Sequence, residues 1–295
     1  MTTLDIRTTD AGTGTDAGPD AAPAAPFPLT APVNLRDLGG IPVEGGSTRP
    51  GVVLRADDLS TVDQASADHL VAGGLRAVVD LRSTFEVTLT GRGPLGREAL
   101  VTYHHVPFLA DVAQDADLRA EPGDSWDQST FGPMYLRMVE DAAPQVVTAL
   151  AIIAHAPGTV AFHCAAGQDR TGVLAAALLL ALGAQTEDVV ADYARTGANS
   201  AAIQQRLVPT LVPLMERLGI DLDAAARAAV RTEFSDVPMR WVIATLTERH
   251  GDPLGPLRAA GLTDGLVARL RERLLDVPDA GTDSGATTSG ATEAA

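Results

Sequence analysis

The chain has 295 residues, 45% of them hydrophobic, enough to bury a sizeable core in one large domain or two small ones. Its formal net charge is −16 and all 22 basic residues are arginine, which argues against a general binder of nucleic acid or anionic membrane and confines any anion site to a local focus of Arg and backbone N–H groups. The single cysteine rules out an internal disulfide framework, and no uncharged apolar run reaches the roughly 18–20 residues of a membrane span.

The N-terminus lacks the basic and apolar regions of a secretory signal, so the cytoplasm is the expected compartment, with signal-independent export left open. Residues 1–28 are rich in Thr, Ala, Gly, Asp and Pro, and residues 277–295 resemble them. Such stretches bury too little surface to offset chain entropy and are expected as disordered tails around one folded domain at 29–276. Val33 to Val43, with Asn, Asp and two glycines among apolar residues, predicts a hairpin or tight turn. Gly51–Arg55 reads as a strand, Thr61–Val71 as a helix ended by Gly73-Gly74, and Arg76–Arg82 as a strand buried on both faces. A third strand is expected over Val101–Phe108. Ala110–Phe131, acidic and rich in turn residues, reads as a long loop. Met134–His155 has helical periodicity, with Pro144 marking a break or a new first turn.

A fourth strand, Thr159–Phe162, leads into Cys164, and a buried helix is expected over Val173–Leu182. Further helices are expected over Thr186–Arg195, Ser200–Leu218, Asp223–Phe234, Val237–Arg249, Leu254–Ala260 and Thr263–Leu275. Strands alternating with helices predict an α/β fold, a central and mostly parallel sheet flanked by helices, with a helical C-terminal half positioned to form a lid. Ligands of such sheets bind beyond the carboxyl ends of the strands, where both Cys164 and Asp80 fall.

Between that strand and helix the chain reads His163-Cys164-Ala165-Ala166-Gly167-Gln168-Asp169-Arg170-Thr171-Gly172. A strand–loop–helix start is an anion site, since free N–H groups and the helix dipole both favour negative charge. The same field favours a thiolate. The backbone of Ala165, Ala166, Gly167, Gln168 and Arg170 is expected to cradle a phosphate, with two small alanines in the wall and Gly167 free of a Cβ. Arg170 offers a planar fork for two phosphoryl oxygens. Cys164 would attack phosphorus, and the Thr171 hydroxyl would donate to its sulfur. His163 is expected to brace the loop by a hydrogen bond, Asp80 and Arg82 to pair with each other, and Arg36 and Asp37 to brace a turn.

This pattern resembles the cysteine-dependent phosphatase signature. More narrowly it is similar to the bacterial atypical protein-tyrosine/serine phosphatase family, which typically reads His-Cys-x-x-Gly-Lys-Asp-Arg-Thr-Gly. Asn34 to Gly40, Asp80-Leu81-Arg82-Ser83 with Glu86, Val190 to Tyr193 and the stretch from His250 to Arg271 resemble further elements of that family. The resemblance implies a cysteine-dependent phosphatase fold and a protein-tyrosine phosphatase, with phosphoserine and phosphothreonine as further candidate substrates. It implies a phosphotyrosine protein as partner, with neither metal nor cofactor. It also makes the Asp of the loop, Asp169, the first candidate for general acid, ahead of Asp80 and of Asp111, Asp115 and Asp117. Gln168 stands where the family has Lys, and the lost charge favours phosphoproteins over phosphoinositides. A phosphoinositide phosphatase and a non-catalytic phosphate-binding relative are the competing readings. The second is disfavoured because both Cys164 and Arg170 are present.

Overall fold

The computed structural model of the protein describes residues 27–108, 129, 131–218 and 234–276. The expected tails, the loop over Ala110–Phe131 and the helix over Asp223–Phe234 lie outside the described residues, apart from 27–28, 129, 131 and 234. In chain order the elements are β1 (Arg36–Asp37), β2 (Pro42–Val43), β3 (Gly46–Thr48), β4 (Val53–Ala56), α1 (Gln64–Ala72), β5 (Leu75–Asp80), α2 (Thr84–Thr90), β6 (Thr102–His105), α3 (Gly132–Glu140) and α4 (Ala143–His155). There follow β7 (Thr159–His163), α5 (Asp169–Leu182), α6 (Thr186–Ala194), α7 (Ser200–Leu218), α8 (Val237–His250), α9 (Gly255–Ala259), α10 (Asp264–Leu274) and β8 (Leu275–Asp276).

The central sheet runs β1-β4-β7-β5-β6, parallel except for the edge strand β1. The site follows from this order. α1 carries the chain from β4 to β5 over one face, where it packs with Leu59, Leu95 and Ala161. α3 and α4 bring it back to β7 over the other face, where Tyr135, Val146 and Leu150 meet Val160 and Phe162. β7 therefore enters last, between two strands already in place, at a point where the winding reverses. All five of its residues are buried, as expected for a parallel strand covered on both faces. Burying Phe162 alone contributes roughly 1.5–3 kcal/mol. At the top of β7, His163 sits in register with Ala56 of β4 and Asp80 of β5. The loop that leaves β7 is thus walled by the chain leaving its two neighbours.

α5 is apolar almost all round and lies inside the helical layer, in contact with β7, α3, α4, α6 and α10. It starts at Asp169, four residues before the apolar run that signalled it, so Asp169, Arg170 and Thr171 form its first turn. Pro144 opens α4 as a first-turn proline. A second sheet, β2-β3-β8, joins the end of the described chain to the N-terminal hairpin, where the Arg49 guanidinium donates to the carbonyls of Arg273 and Leu275.

Candidate active site

The loop from Cys164 to Gln168 is held by its carbonyls. Ala165 O accepts from the backbone N–H of Asp58 at 3.0 Å. Asn34 Nδ2 donates to Ala166 O and Gly167 O at 3.3 and 3.2 Å, and Arg55 Nη2 donates to Gly167 O at 3.0 Å. A planar trans peptide points its N–H away from its C=O. With the three carbonyls tied to the surrounding wall, the N–H groups of Ala166, Gly167 and Gln168 turn toward the concave side, as an anion nest requires. Gly167 has φ +67°, and a Cβ there would stand 2.5 Å from Ala56 O, so only glycine fits.

The anchors are themselves anchored. Asp192 of α6 binds Arg36 Nε at 3.0 Å and forms a short, buried bond with Arg55 Nη1, while Arg36 Nη1 donates to Asn34 Oδ1 at 2.7 Å. Burial works against the Asp192 charge, and the two guanidinium groups outweigh it, holding the carboxyl below its ordinary range. Arg36 thus braces the Cys164 loop, through Asn34 and Asp192, rather than its own turn. Asp37 does brace the turn, accepting from Gly39 N and Gly51 N.

Cys164 is 1% exposed at the end of β7. His163 Nδ1 lies 3.2 Å from the Leu59 N–H and 3.1 Å from Cys164 O, so either tautomer ties the ring to the chain around the loop. Burial pushes its pKa down, although Asp80 opposes the shift, so the ring is neutral near pH 7. Asp80 is fully buried in a bidentate pair with Arg82 and also accepts from the Tyr103 hydroxyl. Burial opposes its charge, but His163 and Arg82 more than offset this and hold the carboxyl well below the carboxylate range. Both Asp80 oxygens are thus occupied by Arg82 and Tyr103 within the wall of the site. The Thr171 hydroxyl is also placed otherwise than expected. Oγ1 is buried with no hydrogen-bond partner among the described residues, so no bond to the Cys164 sulfur is formed. Asp111, Asp115 and Asp117 lie outside the described residues.

Arg170 rises from the first turn of α5 and meets Glu86 of α2 end-on, Nη1 to Oε2 at 2.5 Å and Nη2 to Oε1 at 2.9 Å. Glu86 is fixed in turn by a capping box, with Oε2 accepting from Ser83 N at 2.7 Å and Ser83 Oγ accepting from Glu86 N. Burial disfavours both charges. Glu86 is nevertheless held down at about 2 by Arg170, and Arg170 is held well above its ordinary value by Glu86 and by Cys164. The fork uses two of its five donors on Glu86 and keeps a side edge of two parallel donors, Nε–H and the second Nη2–H, for a ligand.

Glu86→Gln removes that counter-charge at nearly constant shape. It is expected to lower kcat/KM for aryl phosphates roughly 10- to 100-fold by loosening the fork, measured by steady-state kinetics. The stability contribution of Glu86 follows from its depressed pKa. It is fully present above the ordinary value of 4.5 and is lost as pH falls through about 2. Urea unfolding should therefore show the wild type more stable than Glu86→Gln at pH 7, with the gap narrowing below about pH 4.5.

Asp169 Oδ1 accepts from the Tyr135 hydroxyl at 2.5 Å and, at a long 3.4 Å, from Gln168 Nε2. On the opposite side, Ala165 and the Asp57–Asp58 turn face Ile203, Arg206, Leu207 and Thr210 of α7 across a small cavity. Arg206 Nη1 pairs with Asp57 at 2.7 Å, and Asp57 also receives the N–H groups of Val33 and Asn34. Among the described residues no helix is long and apolar enough to cross a membrane.

Glu86, Asn34 and Arg55 were not singled out from the sequence as site residues. Ser83-Thr84-Phe85-Glu86 has the form of a capping box, a signal sufficient to place a helix there but not to aim Glu86 at Arg170.

The sequence model of a family described as the tyrosine phosphatase family matches residues 27–276. The chain is 30% identical over 280 residues to the triple specificity protein phosphatase PtpB of Mycobacterium tuberculosis, covering 82% of this chain and 96% of that protein. It is also 30% identical over 237 residues to a tyrosine-protein phosphatase of Nostoc commune, covering 75% of this chain and 73% of the other.

Proposed function

Because this chain belongs to the tyrosine phosphatase family and is a protein-tyrosine phosphatase, we propose that it cleaves phosphate monoesters through a phosphocysteine on Cys164, with Arg170 holding the phosphoryl group and Asp169 as general acid. The observation that carries this reading is the loop itself: a cysteine at the end of the central strand, three neighbouring carbonyls tied outward, and an Arg fork fixed by Glu86.

The thiolate attacks phosphorus as the bond to the leaving oxygen breaks, and Asp169 gives that oxygen its proton. Water then attacks the phosphocysteine, the S–P bond breaks, and the proton lost by water returns to Asp169, releasing inorganic phosphate and the starting thiolate. The amides of Ala165 to Gln168 and the Arg170 fork meet the oxygens where charge spreads in both steps. Asp169→Asn should lower kcat/KM roughly 10²- to 10⁴-fold for phenyl phosphate and far less for p-nitrophenyl phosphate, whose phenolate departs unaided. Equal losses on both substrates would remove Asp169 as the acid.

Phosphoproteins rather than inositol lipids are the substrates favoured by Gln168, which supplies no charge where the signature it resembles has Lys, and by the net charge of −16. The triple specificity in the name of the mycobacterial relative keeps phosphoserine and phosphothreonine in view beside phosphotyrosine. A panel of phosphopeptides and inositol lipids, read against Cys164→Ser as blank, tests this; preferential lipid hydrolysis would reverse it. The packing of α7 beside Ala165 supports a lid role for the helical C-terminal half. A catalytic thiolate is open to oxidation, and the reducing cytoplasm is the compartment that best preserves it.

A further inference from the structure

Tyr135 is completely buried in α3, against the first turn of α5. A phenylalanine would fill the same space, yet the hydroxyl is present and is used twice. It lies 2.5 Å from Asp169 Oδ1 and 2.7 Å from the hydroxyl of Tyr193 on α6. The two rings meet edge to face, with centroids 6.1 Å apart and planes at 81°. Tyr193 comes this close to α5 because position 172 is glycine; a Cβ there would lie 3.0 Å from its ring. Burial, Asp169 and Tyr193 together push the Tyr135 pKa well up, so its hydroxyl keeps the proton and is the donor to the carboxyl.

We infer that Tyr135 is the positioning residue of the acid: its hydroxyl fixes Asp169 Oδ1 as the accepting oxygen and leaves Oδ2 to carry the proton toward the leaving group, while Tyr193 holds Tyr135 in place. The inference rests on Asp169 being the acid and adds how its proton is aimed. Both side-chain donors described at Asp169, Tyr135 and Gln168, reach Oδ1. The Tyr135 bond also changes during the reaction. As Oδ2–H transfers its proton to the leaving oxygen, Asp169 becomes a carboxylate, and an O–H···O⁻ bond is stronger than the neutral one. The gain appears as charge develops in the transition state and is absent from substrate binding, so its loss belongs in kcat/KM for difficult leaving groups.

The test compares wild type, Tyr135→Phe, Asp169→Asn and the double variant across aryl phosphates from p-nitrophenyl to phenyl, with inhibition by inorganic phosphate measured alongside. Tyr135→Phe should lower kcat/KM for phenyl phosphate about tenfold, change p-nitrophenyl phosphate little, and leave phosphate inhibition intact. The double variant should be no slower than Asp169→Asn alone, because a misaimed acid costs nothing once the acid is gone. Tyr193→Phe should reproduce the leaving-group dependence in weaker form. A Tyr135→Phe loss that is uniform across leaving groups, or that adds in full to Asp169→Asn, overturns the inference while the acid stands. An Asp169→Asn profile with unchanged leaving-group dependence overturns the acid and the inference with it. Weakened phosphate inhibition in Tyr135→Phe means that the hydroxyl shapes the loop rather than the acid, and likewise overturns the inference.

Discussion

The Cys164→Ser protein should lose p-nitrophenyl phosphatase turnover by on the order of 10⁴-fold or more while still binding inorganic phosphate. Both halves of that expectation come from the loop. A hydroxyl replaces the thiol almost isosterically at a position 1% exposed, and the carbonyl ties to Asp58, Asn34 and Arg55 do not involve the sulfur, so the nest survives. The chemistry does not. Serine is a nucleophile only when a base takes its proton, and the imidazole next in sequence is fully buried, tied through Nδ1 to Leu59 N–H or to Cys164 O, and burial disfavours the charge it would gain as a base. Asp58 and Asp80, the two carboxylates that flank that ring at 3.7 Å, are both paired with Arg82. A loop that gathers N–H groups and Arg170 around the sulfur favours a thiolate, an activation that an alcohol cannot take up. Titration calorimetry with phosphate beside the turnover assay checks both halves. Residual activity within tenfold of wild type would place the nucleophile elsewhere, and lost phosphate binding would show that the sulfur also shapes the nest.

How much of this was legible in the sequence depended on distance along the chain. The strand before Cys164, the buried helix after it and the Cys–Arg spacing are local, and each follows from apolar runs and one glycine. The parallel sheet is also legible, because strand and helix patterns alternate. α2 escaped because none of its residues is buried, leaving only the Ser83–Glu86 box to mark it. The parts that hold the loop in shape are long-range: Asn34 reaches Gly167 across 133 residues, Arg55 across 112, and Glu86 reaches Arg170 across 84. Such side chains look like ordinary surface polar residues until the fold brings them together. Thr171 shows the opposite error. Its place after the Arg suggested a bond to sulfur, but the first helical turn buries its hydroxyl without a partner. Asp80 was legible as half of an ion pair, and what the fold adds is the Tyr103 hydroxyl, which reaches its second oxygen from β6.

Arg170→Lys, which conserves the charge, should nevertheless lower kcat/KM about 10³-fold, more than Glu86→Gln does. The side chain has two tasks here, and only the guanidinium performs both. Its end-on edge is taken by Glu86, which fixes the plane of the fork, and the side edge, made of Nε–H and the second Nη2–H, is left for two equatorial phosphoryl oxygens. An ammonium group offers one compact charge with three rotatable donors, and in this pocket the nearest fixed anion is Glu86, only 15% exposed. The lysine is therefore drawn to the carboxylate, and the phosphoryl group loses paired donors aligned with the charge that spreads as the P–O bond breaks. Losing one preorganised donor of this kind costs roughly 10²–10³ in rate, so two exchanged for a loosely held one place the loss near the upper end. Ligand affinities separate this from a simple charge effect. Vanadate, which adopts the five-coordinate geometry of the transition state, should bind Arg170→Lys much more weakly, and phosphate only moderately so. Activity within about tenfold of wild type, or equal losses for the two anions, would show that positive charge alone is sufficient and that the Glu86-held fork contributes no transition-state preference.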